Sequence, residues 1–319
     1  MSPKSLFALL RDAAYAWIDD NVIRLAAALA FFAIFSLAPL LVIVISIASF
    51  VFGEDAARGH VATQLQGLAG TQAAEAIQAI VRHSADQETT GVLATLAGFA
   101  VLLFGASGVF GELKDALNLI WGVQVKPGRT WLRLIRDRFL SFTMVLGIGF
   151  LLLVSLVVSA LLAALSKYMS GWIALPAPVW ATLDFVISLI VISALFAMIF
   201  KILPNVRLAW RDVAIGAVST ALLFTIGKFA IGFYLGTSSV SSSWGAAGSV
   251  VIVLLWVFFS SAILFFGAEI TKIFARRHGS GIVPDARAEL IEDALCARYG
   301  RRPANEQAAK TTDYGSPNR

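Results

Sequence analysis

The residues AGSVVIVLLWVFFSSAILFFGAEITKIF, numbers 247–274, contain no charged side chain before Glu269. A helix rises about 1.5 Å per residue and a bilayer core takes about 20 apolar residues to cross, so this stretch is long enough to span a membrane. Its unbroken apolarity does not fit a strand of a transmembrane barrel, which reads as segments of about ten residues alternating in polarity. Backbone N–H and C=O groups in lipid must be paired within their own element. The stretch is therefore predicted to be a membrane-spanning helix.

Working outward, five further runs of the same kind occur at 25–52, 91–113, 139–165, 179–203 and 213–236. The whole chain agrees with them: of its 319 residues 58% are hydrophobic and 14% charged, with a mean hydropathy of +0.81, whereas soluble domains carry about 25% charged residues. The first run is too long, and starts too far behind charged residues, for a cleaved signal peptide. The fold class predicted is all-α, a polytopic membrane protein with six transmembrane helices.

Orientation follows from where the positive charges fall. Lys and Arg number 3 in residues 1–24, 6 in 111–138, 3 in 201–212 and 9 in 272–319, against 2 in 53–90, 1 in 166–178 and none in 237–246. By the positive-inside rule both termini are cytoplasmic. Tryptophans mark the same two interfaces, with Trp172, Trp180 and Trp244 at outer ends and Trp121, Trp131 and Trp210 at inner ends. The pI near 9.5 is accounted for by this asymmetry, without nucleic acid as a partner.

The chain then divides into a cytoplasmic interfacial helix at 1–24, a membrane domain at 25–275 with a helical outer-face loop at 53–90, and a largely disordered cytoplasmic tail at 276–319. In the first segment Leu6, Leu10, Ala13 and Trp17 recur at helical spacing, the pattern of a helix lying in the interface. A second basic segment, RTWLRLIRDRF at 129–139, carries four arginines, read first as determinants of topology and alternatively as contacts to anionic headgroups. In the tail, PDARAELIEDALCARYG predicts one helix opened by Pro284.

Little enzymatic chemistry is available. The sequence has no HExxH, Walker loop, GxSxG elbow or paired-cysteine zinc spacing. His60 and His83 stand apart from any ligand set, and Cys296 is the single cysteine. The small residues of GASGVFG, 105–111, and GFYLG, 232–236, are suited to close helix contact. No catalytic residue, metal or cofactor is expected, and the chain is read as not an enzyme.

What remains are ionisable groups within apolar runs, which are costly in lipid and point to function. Lys228, in TIGKFAIG at 225–232, lies about eight residues, roughly 12 Å, from the outer end of its span. Asp184 lies about five residues, roughly 8 Å, into the preceding span. The matched depth predicts that Lys228 and Asp184 face each other, with Ser188 one turn along, as either a static ion pair or a substrate and ion pathway. Glu112 and Glu269 are expected beside Lys114 and Lys272 at the inner surface, in structural roles.

Four stretches together resemble the YihY/BrkB family of inner-membrane proteins, historically labelled ribonuclease BN: AAALAFFAIFSLAPLL, ILPNVRLAWRDVAIGA, GKFAIGFYLG and GAAGSVVIVLLWVFFSSAILFFGAEITK. The resemblance covers roughly residues 5–280. The family-like positions are Ser36, Pro39, Pro204, Asn205, Gly216, Trp256, Gly267 and Glu269; Trp244 and Phe258 stand where members more often have tyrosine. The resemblance implies a multi-pass bacterial inner-membrane protein tied to envelope integrity and to lipid or lipopolysaccharide export.

The function expected is a transporter, exporter or flippase of an amphipathic, anionic, lipid-like envelope component. The partners expected are membrane lipids and a lipopolysaccharide-like substrate, no nucleic acid, and a homo-oligomer is left open. The alternative is a non-transporting membrane scaffold. A ribonuclease ranks third, since metal-assisted RNA hydrolysis needs clustered carboxylates or histidines, and the short basic loops hold none.

Overall fold

A computed structural model describes residues 3–35, 59, 63, 66, 71–85, 108–126, 177–237, 248–279 and 281–292. The expected spans at 139–165 and most of 91–113, the basic segment at 129–139, Ser36, Pro39, Trp172, Trp244, His60 and Cys296 lie outside these residues. So do the side chains of Asp184, Trp180 and His83.

The described chain is predominantly helical. It comprises α1 (Pro3–Asp19), α2 (Val22–Phe35), α3 (Thr71–Ala85), α4 (108–120), α5 (Ala177–Ile202), α6 (Trp210–Thr237) and α7 (Gly248–His278). Among the described residues, α5, α6 and α7 are long and apolar enough to cross a membrane. Their bounds sit within a few residues of the apolar runs. Pro204 stands two residues beyond α5, where it cannot continue a helix.

Local residue chemistry sets the helix ends. Asn21 adopts φ 52°, a left-handed conformation that asparagine tolerates and that closes α1. Its carbonyl accepts from the Arg24 N–H, so the same residue opens α2. Gly122, at φ 68°, ends the helix that precedes it, and Gly281, at φ 74°, returns its N–H to the Ala275 carbonyl below α7.

α6 and α7 are antiparallel and keyed together by two reciprocal contacts. A β-carbon built on Gly216 would stand 2.7 Å from the Thr271 Cβ, and one on Gly267 would stand 2.7 Å from the Thr220 Cβ, each closer still to the hydroxyl. Each threonine hydroxyl donates to its own helix, Thr220 to the Gly216 carbonyl and Thr271 to the Gly267 carbonyl, both at 2.7 Å. With its polar atom satisfied inside its own helix, each threonine can pack against a glycine in an apolar setting. Gly108 plays a similar part toward α2, where an added β-carbon would meet the Phe32 ring at 2.8 Å. Gly111 and Gly232, expected to do the same, have open space at that position.

The main core joins α2, α4, α5, α6 and α7 around Leu117, Phe200, Val213 and Phe265. Trp121 belongs to it, 1% exposed and edge-on to Phe200 at 6.0 Å, not to an interfacial belt as its position suggested. Trp210 is exposed. A smaller cluster, with Ile77 of α3 against Ile231, Leu235 and Val253, closes the opposite end of the α6–α7 pair.

α1 divides its apolar residues between two environments. Leu9 and Ala13 are buried with Ile270 and Phe274 of α7, while Phe7, Tyr15 and Ile18 are exposed. Trp17 is partly buried against the main core, so α1 is a packed part of the bundle as well as an amphipathic helix.

The start of the predicted helix at Pro284 is corrected. Residues 283–290 instead form β3 (Val283–Pro284) and β4 (Ala288–Leu290), which pair antiparallel with β2 (Val206–Arg207) and β1 (Val123–Val125) respectively, and Ile291 and Glu292, which follow them, are helical. Further backbone bonds reinforce this clasp: Asp285 N–H to the Asn205 carbonyl at 2.9 Å, Lys126 N–H to the Arg287 carbonyl and Ile291 N–H to the Gly122 carbonyl, both at 3.0 Å. The connections after α4 and α5 present unpaired backbone groups, and the pairing gain from both outweighs a local helical preference. Residues 293–319 of the expected tail lie outside the described residues.

Candidate functional site

The polar side chains fall into three places. The first is the mid-helix position Lys228 on α6, nine residues before Thr237, or about 14 Å of helix. It is partly buried, and its ammonium lies 5.4 Å from the centroid of the Phe229 ring, a cation–π distance. The exposed Ile226, Phe229 and Phe233 form another side of α6, while the residues one turn from Lys228, namely Phe224, Thr225, Ile231 and Gly232, are buried or half-buried. Ser188 is partly buried on α5, and Asp184 lies one helical turn before it on the same helix. The expected Lys228–Asp184 contact falls on an aspartate side chain outside the described residues.

The second place is a charged lattice where α1 meets the end of α7. Glu269 is 0% exposed. Its Oε2 lies 3.1 Å from the Lys272 Nζ, one turn along the same helix, and that Nζ lies 2.9 Å from Asp20 Oδ2 between α1 and α2. One turn further out, Asp12 of α1 pairs with Arg277 of α7 and with its neighbour Arg11. The expectation that Glu269 sits beside Lys272 matches this geometry. Asp20, some 250 positions away in the chain, had no local signal to mark it.

The third place is the turn between α5 and α6. The buried Asn205 N–H donates to Asn118 Oδ1 of α4 at 2.8 Å, and Lys201 donates to the Leu208 carbonyl while lying 5.4 Å over the Trp210 ring. Arg207 pairs with Asp285 of the clasp at 3.1 Å. The Ala286 backbone N–H and the Arg207 guanidinium hold the Asp285 carboxyl below the usual carboxylate range. Asp212, in the first turn of α6, is buried beside Gly279.

The described family-like positions thus share one property: they lie at junctions. Asn205 bonds to α4, Gly216 and Gly267 key α6 to α7, Trp256 meets Phe224 edge-on at 6.5 Å, and Glu269 anchors the lattice with α1. Among the described residues no three His, Cys, Asp or Glu side chains gather as a metal set.

Comparison with known proteins agrees with a membrane assignment. A family model described as virulence factor BrkB matches residues 13–292. A UPF0761 membrane protein of Stenotrophomonas maltophilia (strain R551-3) is 28% identical over 268 residues, covering 81% of this chain and 59% of that protein. One from Rhodospirillum centenum is 27% identical over 267 residues, covering 82% and 56%. The ribonuclease-like protein YfkH of Bacillus subtilis is 24% identical over 255 residues, covering 79% and 89%. The chain therefore spans less than two thirds of the length of the first two relatives. No solved structure matches the chain.

Proposed function

The chain belongs to the virulence factor BrkB family of membrane proteins, and from that premise we propose that it moves an amphipathic, anionic envelope component, lipid-like in character, across the bacterial inner membrane. In this reading it spans the membrane six times with both termini inside, and performs no covalent chemistry. The alternating placement of Lys and Arg supports the orientation.

The observation that carries the proposal is Lys228. A cation partway along an apolar span is retained at a cost, and here its ammonium reaches the ring of the exposed Phe229. An ammonium beside an outward apolar surface suits a ligand with an anionic headgroup and hydrocarbon tails. Asp184 and Ser188, one turn apart on the preceding helix α5, are the polar residues proposed to continue this path. Bound lipid and membrane lipids are the partners, with lipopolysaccharide-like molecules as the chemical extreme of the class.

The test is reconstitution of the full chain in liposomes. Protein-dependent movement of a labelled anionic lipid between leaflets is expected to fall with Lys228→Ala and to persist with Lys228→Arg. Equal movement in all three proteins would remove Lys228 from the mechanism. A scaffold without transport has its own support in the keyed α6–α7 contacts and the ion-paired α1, and gains if wild-type protein moves nothing while folded.

A further inference from the structure

We infer that the junction of α4 with the turn after α5 is an oxyanion-binding site, built from the indole N–H of Trp121 and the side-chain amide of Asn205, with Lys114 as the cation on the same stripe. The ligand is a group that only accepts hydrogen bonds, a phosphate oxygen of a lipid headgroup or of free phosphate. The inference rests on this junction and does not depend on Lys228.

A helix and a turn bring these side chains together. Lys114 and Asn118 are four residues apart on α4, and the Trp121 N–H donates to the Leu117 carbonyl at 2.9 Å, so the helical path runs on through Trp121. Spacings of four and three residues put the three side chains on one side of the helix. That side meets the end of α5: Asn118 Oδ1 accepts from the Asn205 N–H at 2.8 Å, and the Trp121 ring stands edge-on to Phe200 at 6.0 Å. Such a stripe is ordinary on a helix surface, but this one is enclosed, with Lys114 7%, Asn118 5%, Trp121 1% and Asn205 8% exposed.

What the junction lacks is an acceptor. Trp121 Nε1 and Asn205 Nδ2 are buried and have no hydrogen-bond partner. Buried polar groups are nearly always paired, because each one left unmet keeps its desolvation cost. Both atoms are N–H donors, and an indole offers no acceptor in return. The hydroxyls of Ser193, Ser219, Thr220, Thr225 and Thr271 meet the same need locally, each donating to the carbonyl four residues before it. The Trp121 indole and the Asn205 amide make no such bond, so their acceptor comes from outside the chain.

Two neutral donors on a stripe with an ammonium favour an anion, since hydrogen bonds to a charged acceptor are the stronger ones. The carboxylates of this region are engaged or lie elsewhere. Asp285, whose N–H donates to the Asn205 carbonyl at 2.9 Å, pairs through its side chain with Arg207. Glu112 and Asp115 fall on other sides of α4, and Asp212 lies beside Gly279, just past α7. The connection that carries Asn205 also carries Lys201, Arg207 and Arg211, so an approaching anion meets positive charge before it reaches the enclosed donors.

The test is proton–nitrogen NMR of the full chain, labelled at the tryptophan indole nitrogens and held in a maltoside detergent, which carries no phosphate. One arm is titrated with inorganic phosphate and the other with a short-chain phosphatidic acid. Trp121→Phe keeps a ring beside Phe200, removes the donor and so identifies the Trp121 signal. A saturable downfield movement of that signal is expected: movement in both arms supports a free-phosphate site, and movement with the lipid alone supports a headgroup site. Asn205→Asp keeps the backbone N–H that bonds to Asn118 and replaces the donor amide by a carboxylate, and is expected to weaken binding by about tenfold or more, the factor for one hydrogen bond. A signal unmoved in both arms, as a bound water alone would leave it, overturns the inference, and so does equal affinity in wild type and Asn205→Asp. Should Asn205→Asp fail to fold, unchanged affinity in Lys114→Gln overturns it equally.

Discussion

Gly216 of α6 and Thr271 of α7 meet so closely that a β-carbon on the glycine would lie 2.7 Å from that of the threonine, and Gly267 and Thr220 repeat the contact one turn away with the helices exchanged. Two helices in lipid gain nothing from expelling water, so their pairing rests on close packing of this sort. Gly216→Ala is predicted to lower the stability of the purified protein by about 1–3 kcal/mol, the usual cost of overpacking. Thr271→Ala removes the hydroxyl and methyl but leaves Cβ, so the double variant recovers only part of the loss. Thermal unfolding in detergent of the two singles and the double checks this, and additive losses would contradict it.

Asn118 Oδ1 accepts from the buried Asn205 N–H at the turn from α5 to α6. Asn118→Ala leaves that donor enclosed and unmet, a loss of about 1–3 kcal/mol. The same variant is expected to increase amide hydrogen exchange at Asn205 and Asp285, since Asp285 bonds to the Asn205 carbonyl. Unchanged exchange at both would show that the turn does not depend on Asn118.

The clasp formed by 281–292 has a pH dependence of known sign. Asp285 in the folded chain is held below its ordinary carboxylate value, first by the Ala286 N–H and then by Arg207. A depressed acid stabilises the fold above its unfolded value, and that contribution is lost as pH falls through the folded value. Exchange of the β2–β3 amides is therefore predicted to quicken in acid, and Asp285→Asn to abolish the acid-dependent part. Asp285 is exposed, so the effect is small and salt-sensitive.

The long apolar helices were legible because a span is a local property: α5, α6 and α7 end within a few residues of the apolar runs at 179–203, 213–236 and 247–274. Glu269 beside Lys272 was legible for the same reason, being three residues apart on one helix. The clasp was not. Its strands are two or three residues long, too short to show alternation, and their partners lie about 80 and 165 positions away. The segment's Ala, Leu and Glu content resembles a helix until the open backbone of two distant connections is brought beneath it. Asp20 was missed likewise, because its partner Lys272 is 252 positions distant. Trp121 misled because a tryptophan at a helix end looks interfacial, whereas the turn at Gly122 folds this one into the core.

Charge exchange addresses the pairing of Lys228 with Asp184. If the two face each other, the double exchange Asp184→Lys with Lys228→Asp restores most of the folded yield that each single exchange loses. A double variant no better than either single would separate the two residues.

The most direct test of lipid handling is leaflet exchange of a fluorescent anionic lipid in proteoliposomes, compared with a zwitterionic lipid bearing the same label. Wild type is predicted to accelerate exchange of the anionic probe above protein-free vesicles, and Lys228→Ala, inserted to the same level, to lose at least about tenfold of that acceleration, equivalent to about 1.4 kcal/mol. Exchange of the two probes at equal rates, or at rates indifferent to Lys228, would contradict an anionic-lipid site at this position.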